Sequence, residues 1–205
     1  MKDMETAIIL AGGKSSRMGF DKQFIRFQDR YLVEVLAERL EKTFPEIIIV
    51  TGRPEAYEKD RYRIIEDRVK GFGPLAGIHA GLLKSGSMHN YVIACDMPFI
   101  RQDYVEYMMD LIRQHRGRVD GVITRLGEWI EPFNAFYSKN LIGRIEDSME
   151  KGRRQINQML KDSDVLYVSE AEARKFSPDW DMFTNINTLG DYEKLMERLH
   201  RLREV

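Results

Sequence analysis

The amino-acid sequence predicts an α/β fold, three layers deep, with helices on both faces of a mostly parallel sheet. Three observations lead there. Short apolar, β-rich runs recur along the chain. Segments with helical period separate them. The Gly and Pro clusters fall at the ends of the runs. Strands lacking a polar face are buried on both sides, and intervening helices supply the crossovers that parallel pairing requires.

In chain order the candidate strands are Ala7–Ala11 (AIILA), Ile47–Thr51 (IIIVT), Arg63–Ile65, Tyr91–Ala94 (YVIA), Gly121–Thr124, Pro132–Tyr137 and Val165–Val168. Leu32, Val35, Leu36 and Leu40 make one helical stripe. Val105, Met108, Met109 and Ile112 make another at i, i+3, i+4, i+7. A helix opens at Leu75 behind Pro74, a residue suited to a first helical turn. The last helix runs from Leu189 to about Leu202, with Leu189, Tyr192, Leu195, Met196, Leu199 and Leu202 on one face. No repeat or low-complexity linker interrupts the pattern, so residues 1–205 read as a single domain, long enough to bury a core without disulfides or a structural metal.

The charge is nearly balanced, 32 basic against 33 acidic side chains, so no global field draws in nucleic acid or an anionic membrane. Any cations for an anionic substrate must be local. The one cysteine, Cys95, excludes an internal disulfide and a cysteine-rich zinc site. The short charged N-terminus lacks the plan of a signal peptide, and no run approaches the roughly 20 apolar residues that span a bilayer, so a cytoplasmic location is expected.

Four motifs carry candidate chemistry. Leu10-Ala11-Gly12-Gly13 ends the first strand and leads into a basic loop holding Lys14, Arg17 and Lys22. Glycine lets backbone N–H groups approach a polyphosphate, and cations can add to the same phosphates; a solvated βα loop is the plain alternative. It is not a P-loop, because Ile8 stands where that motif needs glycine, and it lacks the spacing of the dinucleotide fingerprint. Asp96, in Ala94-Cys95-Asp96-Met97-Pro98, directly ends an apolar run, where it suits either a turn or a Mg²⁺ ion shared with substrate phosphates. Ile65-Glu66-Asp67 followed by Gly71-Phe72-Gly73-Pro74 is either a strand-to-helix connection or a backbone wrap for a base or ribose. In Thr184-Asn185-Ile186-Asn187-Thr188, Asn187 or Thr188 can cap the last helix, and Asn185 and Asn187 share one side of an extended segment. Ligands in open α/β sheets sit beyond the carboxyl ends of the strands, where three of the Gly/Pro clusters fall.

Together, LAGGKSSRMGFDKQ, IED with GPLAG, CDMP, EPFNAFY and NINT resemble, in order and spacing, the signature of the MobA-like nucleotidyltransferases, most nearly the molybdenum cofactor guanylyltransferase branch. The resemblance spans Ala7 to about Asp191. It implies a Rossmann-like nucleotidyltransferase fold, Mg²⁺ as cofactor, and GTP and molybdopterin as substrates. It also implies contact with other molybdenum cofactor biosynthesis proteins. It gives Leu10, Ala11 and Gly12 the nucleotide-cradling backbone, Lys22 and Arg17 the phosphates, and Asp67 the nucleotide. Asp96 takes nucleotide and metal, Arg153-Arg154 the pterin side, and Asn185 and Asn187 the late asparagine pair. Thr51 stands where relatives can carry a nucleotide-contacting asparagine, and Leu189 replaces a common proline. The same fold also serves cytidylyl and sugar-phosphate transfer, or nucleotide binding without catalysis. Cys95 reads as a small buried hydrophobe rather than a nucleophile. No histidine is given a role; His89, His115 and His200 are expected in loops or on polar helix faces.

Overall fold

The computed structural model describes residues 3–12, 24–27, 30–57, 61–67, 69, 71–188, 190–194 and 197. Every apolar run expected to be a strand is one. They are β1 (Thr6–Ala11), β4 (Glu46–Thr51), β5 (Arg63–Glu66), β6 (His89–Ala94), β7 (Gly121–Leu126), β8 (Trp129–Ser138) and β9 (Val165–Ser169). A short hairpin of β2 (Arg26–Phe27) and β3 (Arg30–Tyr31) precedes the first helix; strands of two residues are too short to leave a periodic signal. The seven longer strands form one sheet in the order β5-β4-β1-β6-β8-β7-β9. Pairing is parallel except where β8 runs antiparallel to β6 and β7.

Helices α1 (Leu32–Leu40), α3 (Gln102–Gln114) and α6 (Glu170–Phe176) lie against one face, and α2 (Pro74–Lys84), α4 (Ile142–Glu150) and α5 (Ile156–Met159) against the other. Alternation in β1 explains the two cores. Ala7, Ile9 and Ala11 join one, and Ile8 and Leu10 the other. Each fully buried aliphatic side chain contributes about 1.5–3 kcal/mol relative to exposure. The α3 stripe is buried as expected. In α1 the buried set is Leu32, Val33, Leu36, Ala37 and Leu40, while Val35 turns to a small cluster with Ile25, Leu32 and Ile186. Val33 and Ala37 extend the stripe to a wider face because the helix packs flat on the sheet.

Helix α2 packs close to β1 because it has glycine where the strand approaches. A Cβ on Gly81 would stand 2.6 Å from Cγ2 of Ile8, and one on Gly77 3.1 Å from Cδ2 of Leu10. Residues 190–194 and 197 are helical. Their start is capped by Thr188, whose hydroxyl accepts from Asp191 N–H at 3.1 Å while the Asp191 carboxylate accepts from the Asn187 and Thr188 amides. That reciprocal bonding holds Asp191 below the usual carboxylate range. Of the expected face on this helix, Leu189, Leu195, Met196, Leu199 and Leu202 lie outside the described residues, and Tyr192 donates its hydroxyl to the Arg26 carbonyl at 2.9 Å.

One expectation is corrected. His89 is neither in a loop nor on a polar helix face. It opens β6, is buried, and its Nε2 lies 2.8 Å from the Val119 carbonyl, a partner that makes burial tolerable. His200 lies outside the described residues.

Candidate active site

The four parallel strands β5, β4, β1 and β6 end at one edge of the sheet, and backbone hydrogen bonds tie the predicted motifs together there. Cys95 N–H donates to the Leu10 carbonyl at 3.0 Å, joining the start of the CDMP loop to the strand before Gly12. Asp67 N–H donates to the Thr51 carbonyl at 3.3 Å. Ile186 N–H donates to the Asp96 carbonyl at 2.9 Å, bringing the NINT segment to the end of β6. Leu10, Ala11, Gly12, Asp67, Asp96, Asn185 and Asn187 therefore share one edge. Arg17 and Lys22 lie outside the described residues.

Leu10 and Ala11 are buried, so they can offer a ligand only backbone groups, whereas Gly12 is exposed and a Cβ there would meet none of the described residues within 4 Å. Space in front of a strand-end glycine is what a close approach of phosphate to backbone requires. Pro74 occupies the first turn of α2, behind Gly71 (φ 96°) and Gly73 (φ 56°), both in the left-handed region that favours glycine. Phe72 between them lies under the Arg154 guanidinium, 6.0 Å from the ring centroid. This contact brings the exposed Arg153-Arg154 doublet to the turn that opens α2.

Asp96 is half-buried in a loop held on three sides. Met97 N–H closes a turn to the Ala94 carbonyl at 3.1 Å, Arg39 of α1 donates to the Pro98 carbonyl at 3.0 Å, and Ile186 holds Asp96 itself. Sequence reading missed Arg39, because a contact 59 residues away leaves no local signal. Among the described residues no three His, Cys, Asp or Glu side chains gather to hold a metal unaided. One strand-end carboxylate fits an ion that takes its other ligands from phosphates and water. Cys95 is buried in the core beside it, as expected of a small hydrophobe.

Burial raises the Asp67 carboxyl above its usual range; the Val69 amide, donating to Oδ1 at 3.1 Å, and His79 offset part of this. His79, buried on α2, sits with Nε2 2.9 Å from Glu146 of α4. Thr51 is buried and its hydroxyl accepts from Arg53 N–H at 3.0 Å, closing the turn after β4. Ile186 points into the Ile25 and Leu32 cluster, which leaves Asn185 and Asn187 on the opposite side of the segment. Asn185 Oδ1 is buried without a hydrogen-bond partner among the described residues.

The sheet opens beside Asp96. β6 and β8 stop pairing at Val92 and Ala135, while β8 stays with β7 out to Trp129. Pro132–Asn134 take up the slack in a bulge, with Asn134 at φ 55°. Asn134 accepts from the Tyr91 hydroxyl at 2.6 Å and donates to the Met182 carbonyl at 3.3 Å, so it also anchors the segment that leads to Asn185.

Comparison with known proteins places the chain in a family. Residues 7–166 match the MobA-like NTP transferase domain. The chain is 52% identical to the probable molybdenum cofactor guanylyltransferase of Peptoclostridium acidaminophilum, over 91% of this chain and 86% of that one. It is 47% identical to the molybdenum cofactor guanylyltransferase of Syntrophotalea carbinolica, over 92% and 89%. Among solved structures, molybdopterin-guanine dinucleotide biosynthesis protein A from Archaeoglobus fulgidus superposes with a TM-score of 0.78 at 29% identity, covering 96% of this chain and 99% of that one. The chain belongs to the MobA-like NTP transferase family.

Proposed function

We propose that this chain transfers GMP from GTP to the terminal phosphate of molybdopterin, forming the guanine dinucleotide and releasing pyrophosphate. The observation that carries the reading is the convergence of Gly12, Asp67, Asp96 and Asn185 on one sheet edge, in a chain 52% identical to a probable guanylyltransferase of that cofactor. An acceptor phosphate oxygen attacks the α-phosphorus of GTP; a new P–O bond forms, and the bond to the bridging oxygen breaks with its electron pair leaving on pyrophosphate. The acceptor is already an anion, so positioning and charge neutralisation suffice without a strong base.

In this reading the backbone at Leu10, Ala11 and Gly12 cradles the nucleotide, Asp67 binds it on the α2 side, and Asn185 and Asn187 close the far side. Lys22 and Arg17, matched to the family's basic positions by sequence, offset charge on the triphosphate. A divalent ion, taken here as Mg²⁺, would neutralise triphosphate oxygens when bound, and Asp96 is the carboxylate that would hold it. Arg153-Arg154, at the turn that opens α2, would meet the pterin substrate at its phosphate end rather than at its ring. No helix among the described residues is long and apolar enough to cross a membrane, which agrees with work in the cytoplasm beside the proteins that supply the pterin.

The test is pyrophosphate release with each of four NTPs, with and without molybdopterin. We expect release only with both substrates, and at least tenfold more efficiently with GTP than with CTP. Each buried polar group left unpaired by the wrong base costs about 1–3 kcal/mol, enough for that ratio from one or two groups. Preference for CTP would move the chain to cytidylyl transfer; release without an acceptor would refute the transfer.

A further inference from the structure

Glu131 lies at the sheet edge that carries Asp96, on the far side of the opening between β6 and β8. It pairs directly with Thr124, whose hydroxyl is 2.5 Å from that of Tyr104 of α3. Cross-strand partners share a face, so Glu131 faces the α3 side, where residues 181–186 also run. The carboxylate is half-buried and makes no hydrogen bond or ion pair with any described residue. Its neighbour on that face, the segment anchored by Asn134, carries a second acceptor without a donor, the buried Oδ1 of Asn185. Burial alone raises the Glu131 carboxyl above its usual range. A carboxylate that has lost water and gained no donor is poised for a ligand that brings N–H groups.

We propose that Glu131 accepts the N–H edge of the 2-amino-4-oxo-pyrimidine ring of the pterin substrate, and so selects the acceptor. This rests on the transfer proposed above. That donor edge, an amino group beside a ring N–H, is shared by pterin and guanine, and a carboxylate pairs with it through two parallel hydrogen bonds. Position assigns it to the pterin. Leu10–Gly12 and Asp67 lie toward β1, β4 and β5, whereas Glu131 lies past β6 on the other side of Asp96. The reacting phosphate and the aminopyrimidinone edge are opposite ends of molybdopterin. With phosphate at Asp96, the ring end must lie away from it, and Glu131 lies in that direction along the same sheet edge.

The experiment measures steady-state KM for molybdopterin and for GTP in the wild type, Glu131→Gln and Glu131→Asp. It adds direct binding of molybdopterin, followed by quenching of its fluorescence without GTP, and thermal unfolding of each variant. Glu131→Gln replaces one acceptor with a donor that faces a donor. We expect a rise of at least tenfold in KM and Kd for molybdopterin, less than twofold change in KM for GTP, and no fall in Tm. Glu131→Asp, which keeps the charge but draws it back, should raise the acceptor KM about threefold and carries the test if the Gln variant does not fold. An unchanged acceptor KM overturns the assignment, and so does a rise confined to GTP, which would give the carboxylate to guanine. Absence of transfer in the wild type overturns the function itself, and Glu131 with it.

Discussion

Gly81 tests how tightly β1 depends on its supporting helix. A Cβ at position 81 would meet Ile8 Cγ2 at 2.6 Å, Cδ1 at 2.8 Å and Cγ1 at 3.2 Å, all on one fully buried side chain. Overpacking of this kind costs about 1–3 kcal/mol. Replacing a mid-helix glycine with alanine returns about 0.5–1 kcal/mol. Gly81→Ala should therefore destabilise by up to about 2.5 kcal/mol, and at about 2–4 °C per kcal/mol for a chain of this size Tm should fall by up to roughly 10 °C. Since every clashing atom belongs to Ile8, the same substitution made in an Ile8→Ala background should cost nothing or stabilise, although Ile8→Ala itself costs about 2–5 kcal/mol. Chemical denaturation of the four proteins of this cycle measures the coupling. An equal loss from Gly81→Ala in both backgrounds would refute the claim that helix–strand contact, rather than backbone conformation, requires glycine there.

Asp96→Asn should keep the fold, because the residue is half-buried beyond a strand end and its carbonyl, not its carboxylate, receives Ile186; transfer should be abolished, with turnover and thermal unfolding read together. Asn134→Ala should cost about 2–5 kcal/mol, since it strands the Tyr91 hydroxyl and places a side chain without a local polar partner at φ 55°, whereas Asn134→Gly should recover the conformational part, about 1–2 kcal/mol. Asp67 has its folded-state pKa raised by burial, so the folded chain holds that proton more firmly than the unfolded one, and stability on this account is greatest at low pH and falls as pH rises through the carboxylate range. Asp67→Asn should flatten that fall in a pH series of Tm values while raising KM for GTP at neutral pH.

Strand positions were legible because burial on both faces leaves unbroken apolar runs, and the edge that gathers the motifs followed from strand-end glycines and aspartates. What stayed hidden depends on contacts far apart in the chain. α4, α5 and α6 are short, and each buries only two residues or fewer, so little period survives. His89 is polar by type but satisfied by the Val119 carbonyl, and nothing in its neighbours in sequence announces that partner. Arg39 looks like any charged residue on a helix surface, and only its reach to Pro98 makes it a support for the Asp96 loop. The bulge at Asn134 had a faint local sign, an asparagine inside an apolar run, since asparagine tolerates the left-handed region better than other side chains.

The bond from Ile186 to Asp96 also sets an order of events during synthesis. All nine strands among the described residues precede residue 170, so the sheet can assemble on the ribosome before Met182 reaches Asn134 or Ile186 reaches the end of β6. A nascent chain, or a fragment cut after Trp180, would hold every described strand and lack the segment that bonds to Asn134 and the Asp96 loop. On the function proposed above, competence to bind then arrives only once the 182–187 segment has docked, and loss of that segment is expected to silence the site.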